Sequence, residues 1–131
     1  PGELIEAIEI PFLDKKPTRI LFRKVGTRAA QAISKTVAAG LLWLKKEGTV
    51  QELRFALGSM APTVRRLKTV ESFCLGKRIT REVVDRACEL LTQDVSPIDD
   101  IRSTREYRLR VSQNILRSFL SFPLPLRERA G

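Results

Sequence analysis

Residues 33–60, Ile33-Ser34-Lys35-Thr36-Val37-Ala38-Ala39-Gly40-Leu41-Leu42-Trp43-Leu44-Lys45-Lys46-Glu47-Gly48-Thr49-Val50-Gln51-Glu52-Leu53-Arg54-Phe55-Ala56-Leu57-Gly58-Ser59-Met60, decide the fold. By propensity alone, the Ala-rich run just upstream at 29–33 and the Leu-rich run at 41–44 suit a helix. The second half argues otherwise. Lys46-Glu47-Gly48-Thr49 is a turn signal, and Glu52 to Leu57 alternates polar and apolar up to Gly58, the period of a half-buried strand. Such a strand needs a partner. The nearest is the segment before the turn, where Thr36, Val37, Leu42 and Trp43 supply β-favouring residues. Residues 33–46 and 50–60 therefore read as a long hairpin.

Upstream, residues 3–10 are short, apolar-rich and closed by Pro11, which reads as a strand ended where the ladder loses a donor. After the turn Asp14-Lys15-Lys16-Pro17, residues 18–25 form a second extended segment, with Ile20 and Phe22 on one face and Leu21 on the other. These two segments are expected to pair as a ribbon. Downstream of Pro62 the period changes from two to 3.6. Pro62 is read as the end of the sheet, and Thr63 as the cap of a helix carrying Val64, Leu67, Val70 and Cys74, with Gly76 at its left-handed C′ position. Thr80 caps a second helix with Val84, Ala87, Cys88 and Leu91 on its apolar face and Ile79 placed to staple onto Val84. Ser103-Thr104-Arg105-Glu106 reads as a capping box opening a third helix, with Tyr107, Val111, Ile115 and Phe119 as its buried stripe and Arg117 facing solvent. Pro123 and Pro125 stop it. Strands first and helices last predict an α+β fold, an antiparallel sheet of three to four strands followed by three helices packed on one face.

The 131 residues leave room for about one domain. Residues 1–131 are read as a single domain with a compact part at about 3–122 and a tail at 123–131. The longest apolar run, Val37 to Leu44, is eight residues, against the roughly 20 needed to cross a bilayer. No membrane span is expected. No basic-then-apolar leader precedes the first segment, and the chain reads as a piece of something longer. With His absent, Ser-His-Asp and Cys-His sites are excluded, and the two cysteines, Cys74 and Cys88, cannot fill a four-ligand zinc site. They read as buried thiols in a reducing, cytoplasmic compartment. The formal charge is +9 with a pI near 10.3, so polyanion binding has to be weighed. The excess is spread, however: residues 1–60 carry ten basic and six acidic side chains, and residues 61–131 fourteen and nine. Aromatics are 6%, and most phenylalanines fall on faces needed for a core, which leaves few platforms for stacking bases. A solvated basic surface is the better reading, and no nucleic acid is expected.

Three ordered motifs carry a resemblance. Ala56-Leu57-Gly58-Ser59-Met60-Ala61-Pro62-Thr63-Val64-Arg65, then Leu75-Gly76-Lys77 before Thr80, then Ser96-Pro97-Ile98-Asp99-Asp100-Ile101-Arg102-Ser103-Thr104-Arg105-Glu106-Tyr107-Arg108, resemble the C-terminal domain of the flavoprotein subunit of the molybdenum hydroxylases. That family contains xanthine dehydrogenase and the medium subunit of carbon monoxide dehydrogenase. The resemblance covers roughly residues 3–120, implies the same strands-then-helices fold, and favours strand over helix at 33–46. It implies FAD in the full-length flavoprotein, held by a preceding FAD-binding domain. It also implies iron-sulfur and molybdopterin subunits or domains as partners, and electron flow from iron-sulfur clusters through FAD to NAD or another acceptor.

Within Arg23-Lys24-Val25-Gly26-Thr27-Arg28 the resemblance makes Lys24 the lysine near the flavin ring and Arg28 the arginine of the flavin-side loop. The chemistry is direct, because reduced flavin tends toward an anion that a nearby cation stabilises. The plain alternative is two solvated cations at a strand end. Animal xanthine dehydrogenases carry acidic residues shortly after this arginine, where this chain has Ala29, Ala30 and Gln31. Asp99 and Asp100, with Arg102 between them and the cap, read as helix-dipole and ion-pair anchors; acid–base work is the alternative, and no His or Cys lies nearby to support it. Tyr107, on the expected stripe, is read as buried with its hydroxyl partnered. The glycine-rich elements that hold the FAD pyrophosphate have no counterpart among the seven glycines, so this chain alone is not expected to bind FAD or to be catalytic. The reading from another class is a freestanding basic interaction or nucleic-acid-binding module.

Overall fold

The computed structural model describes residues 1–28 and 33–121. Four strands, β1 (Arg19–Val25), β2 (Thr36–Leu44), β3 (Val50–Gly58) and β4 (Arg65–Arg66), precede three helices, α1 (Lys68–Cys74), α2 (Arg81–Asp94) and α3 (Arg105–Leu120). The sheet is antiparallel throughout, in the order β1-β2-β3-β4. Helix and sheet share one core, in which Ala38 and Leu42 of β2 and Leu53, Phe55 and Leu57 of β3 meet Val70, Val84, Leu91, Leu116 and Phe119. No helix among the described residues packs on the opposite sheet face.

The central hairpin forms as expected. Gly48, at φ +88, sits in the turn, where the Lys45 amide donates to the Thr49 carbonyl at 2.9 Å. Propensity loses at 36–44 because every second residue there is buried against the helices, a pattern that only a strand can satisfy. Gly40 is required by packing: a Cβ at that position would lie 2.8 Å from Phe55 Cδ2 and 3.1 Å from Phe119 Cζ.

Several expectations are corrected. Residues 3–10 form no strand, and Leu4, Ile5, Ile8 and Ile10 are exposed. A ribbon with β1 would need residues 11–18 to turn back on β1's own edge. They bond instead to β2: the Thr18 amide donates to the Leu42 carbonyl at 2.7 Å, and Trp43 Nε1 donates to the Lys15 carbonyl at 3.0 Å. Phe12 and Phe22 accordingly lie outside the core. Pro62 does not end the sheet, because β4 follows it and pairs with Ala56 and Leu57. The first helix therefore starts at Lys68, with no side-chain cap at its N-cap residue Leu67, and Val64 is exposed. Its N-terminus is closed from a distance by the Asp94 carboxylate at the end of α2, which accepts from the amides of Thr69 and Val70 at 3.1–3.3 Å.

Gly76 takes φ +76 as expected, and Thr80 caps α2 through the Val83 amide. The cap of α3 falls one residue later than the expected box. Thr104 accepts from the Tyr107 amide, while the Ser103 amide is used by Asp100. The buried face of α3 is Arg108, Ser112, Ile115, Leu116, Phe119 and Leu120. A strict four-residue repeat drifts roughly 40° per step around a 3.6-residue helix, so three steps back from Phe119 carry Tyr107 roughly 120° off the core. Tyr107 is 42% exposed, not buried. Arg117 is only partly exposed and pairs with Asp85. The expected tail at 123–131, with Phe122 and the stop at Pro123 and Pro125, and the positions Ala29, Ala30 and Gln31, lie outside the described residues.

Candidate functional site

The helix-free sheet face is built by alternation, and at its far end Trp43 is buried beside residues 10–15. On β1 it presents Ile20, Phe22 and Lys24, all exposed. Register then aligns three short rows across the strands: Ile20–Leu41–Arg54, Phe22–Ala39–Ala56 and Lys24–Val37–Gly58. The middle row has an exposed ring at its edge and two methyl groups as its floor. The last row has an ammonium at its edge and no side chain at its far end. Small residues in the two inner strands leave a shallow, flat apolar strip roughly two strand spacings, ~10 Å, across.

Lys24 stands at the end of that strip, one residue before β1 ends at Val25. Its ammonium has no hydrogen-bond, ion-pair or ring partner among the described residues. Arg28 is exposed and lies three residues beyond the end of β1. Where the chain enters β2, the Lys35 amide donates to the Val25 carbonyl at 2.7 Å. Arg23, between Phe22 and Lys24, points the other way and lines a small cleft with Val25, Val111, Asn114 and Ser118 on the helix side. Lys24 and Arg28 thus belong to the same end of the sheet, and Arg23 does not share the face of Lys24.

Asp99 and Asp100 act as anchors. Asp99 accepts from the Arg105 amide at the start of α3, 2.7 Å away. Asp100 takes the Arg102 and Ser103 amides and both carboxylate contacts of Arg108, at 2.8 and 2.9 Å. Desolvation pushes its carboxyl up, but the two amides and the Arg108 guanidinium outweigh this and hold it below the usual carboxylate value. That is the opposite of what a general acid needs. The ion-pair partner is Arg108, not Arg102, and a local reading missed it because the pairing needs the helix to be in place. Glu71 and Asp94 were likewise silent in the sequence, since the amides they cap are brought to them by the fold. No group of three or more potential metal ligands exists among the described residues. Burial pushes the thiols of Cys74 and Cys88 up to about 11, so both are inert near neutral pH.

Fold and site together define a small α+β module whose second sheet face, clear of helices among the described residues, is edged by the Lys24 cation. The family described as the CO dehydrogenase flavoprotein C-terminal domain matches residues 21–121, and the chain belongs to it. It is 29% identical over 111 residues to the glyceraldehyde dehydrogenase medium chain of Sulfolobus acidocaldarius, a match covering 84% of this chain and 38% of that one. It is 27% identical over 119 residues to the xanthine dehydrogenase FAD-binding subunit of Escherichia coli O157:H7, covering 91% of this chain and 40% of the relative. Among solved structures it superposes, with a TM-score of 0.69 and 26% identity, on carbon monoxide dehydrogenase from Hydrogenophaga pseudoflava lacking the Mo-pyranopterin moiety; 78% of this chain and 35% of that one are covered. The chain thus spans well under half the length of these relatives. No helix among the described residues is long and apolar enough to cross a membrane.

Proposed function

We propose that the chain completes the FAD site of a longer flavoprotein, with Lys24 and Arg28 as its flavin-side cations. The carrying observation is Lys24, an exposed ammonium with no partner among the described residues, at the end of an apolar strip in the segment that resembles the family's flavin-side loop. The strip suits one side of a flat ring: Phe22, Ala39 and Ala56 exclude water from it, and Lys24 holds positive charge at its edge. FAD, when bound, supplies the two-electron chemistry that links iron-sulfur clusters to NAD or another acceptor. Iron-sulfur and molybdopterin subunits or domains are the partners in this reading, and a cytoplasmic location goes with the two free thiols.

The pyrophosphate belongs elsewhere. An anion of that kind commonly sits on free amides at a helix N-terminus, and here side chains already occupy the Thr69 and Val70 amides of α1, the Val83 amide of α2, and the Arg105 and Tyr107 amides of α3. A preceding FAD-binding domain supplies that half. Purified alone, the chain is expected not to quench flavin fluorescence on titration with FAD; saturable micromolar quenching would contradict this assignment.

Lys24→Ala, made in the full flavoprotein with its partner subunits, tests the function. A cation at several ångströms in a partly solvated site favours the more negative reduced flavin by about 1 to 2 kcal/mol at an effective dielectric near 20. The flavin potential should fall accordingly, while substrate oxidation assayed with a dye that takes electrons upstream of FAD stays nearly unchanged. Lys68→Ala, on the exposed side of α1, is the control. A potential that moves equally in both variants, or in neither, removes Lys24 from the site.

A further inference from the structure

Residues 3–10 carry four large apolar side chains, Leu4, Ile5, Ile8 and Ile10, each 80–92% exposed. A lone exposed isoleucine is ordinary, but four in one short segment make a surface that water covers at a cost. No residue of the segment makes a hydrogen bond among the described residues. Alternation sorts its side chains as in a strand with one apolar and one mixed face: Leu4, Ile8 and Ile10 fall on one side with Glu6, and Glu3, Ile5, Ala7 and Glu9 on the other. Pro11, with no N–H, closes any ladder there. The connector that follows is held: Trp43 Nε1 donates to the Lys15 carbonyl at 3.0 Å, and residues 10–15 lie beside Trp43 at the end of the helix-free face remote from Lys24. The family match begins at residue 21, so the segment lies outside both the core of this fold and the matched residues.

We propose that residues 3–10 are a strand of the preceding FAD-binding domain, added to an edge of its sheet with Leu4, Ile8 and Ile10 in its core and Glu3 and Glu9 toward water. A sheet edge pairs the amides and carbonyls of an extended segment while its pockets take alternate side chains. A second copy of this chain is the competing occupant, because Glu3, Glu6 and Glu9 match the charge of Arg23 and Lys24 on the sheet-edge strand β1. Covalent linkage decides between them: a short tether gives an effective concentration of the order of millimolar, and Arg23 and Lys24 also guard β1 against edge pairing. The domain that covers the helix-free face is thereby tied down beside Trp43, at the end opposite Lys24. This rests on the reading that a FAD-binding domain precedes this fold.

Amide hydrogen exchange at residues 4–10 tests this with no substitution and with FAD removed. In this chain alone these amides should exchange as in an unstructured peptide. In the full flavoprotein alternate amides at least should slow by about 100-fold or more, as ladder amides do. Equal exchange in the two proteins overturns the proposal. Ile8→Asp and Ala7→Asp then test the face. Neither should move the urea midpoint of the isolated chain, because both residues lie outside its core. In the flavoprotein Ile8→Asp should abolish the protection at 4–10, whereas Ala7→Asp should keep most of it; equal effects there overturn the assignment.

Sedimentation of the isolated chain addresses the competing occupant. A monomer supports the proposal; a discrete dimer that Glu6→Lys dissociates gives the segment to a second copy and overturns it. The flavin reading is scored apart. If residues 4–10 are protected while Lys24→Ala leaves the flavin potential unmoved, the added strand stands and the role of Lys24 fails. If the potential falls in that variant while residues 4–10 exchange freely, Lys24 keeps its role and the added strand fails.

Discussion

Glu71 of α1 completes the hydrogen bonding of Phe55 in β3: its Oε2 accepts from the Phe55 amide at 3.0 Å, one step past the two-residue strand β4. The Leu67 amide meets the Phe55 carbonyl at 2.8 Å, and the helix then turns away, so without Glu71 that amide would be a buried donor with nothing to bond. Arg66 holds the carboxylate in place with two bonds of 2.8 Å.

Glu71→Ala leaves the Phe55 amide unsatisfied and removes a charged acceptor from a mostly buried site, which should cost about 3 kcal/mol. Arg66→Ala, losing a partner that is 41% exposed, should cost about 1 kcal/mol or less. Urea unfolding of the two variants checks the order, and equal midpoints would remove Glu71 from the ladder.

The start of α1 is tested by a pair of substitutions. Asp94→Ala frees the Thr69 and Val70 amides and should cost about 1 to 2 kcal/mol, as loss of an N-cap does. Thr63→Ala, at an exposed residue four positions before Leu67, should stay within about 0.5 kcal/mol. Thermal melts that rank them in reverse would return the cap to Thr63.

Gly40 and the Phe55–Phe119 pair, whose ring centroids are 5.5 Å apart, make one packing unit. Gly40→Ala forces a methyl group against both rings and should destabilise by about 1 to 3 kcal/mol. Phe119→Ala should cost about 3 to 5 kcal/mol, whereas Arg117→Ala, whose ion pair with Asp85 is half-exposed, should cost about 1 kcal/mol or less. A Gly40→Ala variant as stable as the parent would show that the rings have room to move.

Burial raises both thiol pKa values from the ordinary 9.0 to about 11. The native state thus holds protons that the unfolded chain releases, so their contribution is complete below about pH 9 and is lost as pH rises toward 11. Unfolding free energy measured across that interval should decline less steeply in a Cys74→Ala, Cys88→Ala double variant than in the parent. Parallel pH profiles would show that the thiols are not linked to folding.

Much of this architecture is legible in the chain itself. The alternation Leu53, Phe55, Leu57, the turn at Gly48, the left-handed Gly76 and the cap at Thr80 each depend on residues within a few positions, so local sterics and periodicity suffice to determine them. The motif order that points to the flavoprotein family, and the segment holding Lys24 and Arg28, are equally sequence properties. What the tertiary structure decided are the places where a local signal needs a distant partner. Residues 3–10 have a strand's composition but gain no ladder edge, because the connector after them bonds to β2. Thr63 has a cap's chemistry, but β3 still has an edge to pair at Arg65 and Arg66, so the helix waits until Lys68 and is capped by Asp94. Tyr107 lies on a four-residue apolar repeat, yet a helix turns every 3.6 residues and buries Arg108 instead. A backbone amide or a helix face is satisfied by whatever the folded chain brings within about 3 Å, and that is not written in the residues beside it.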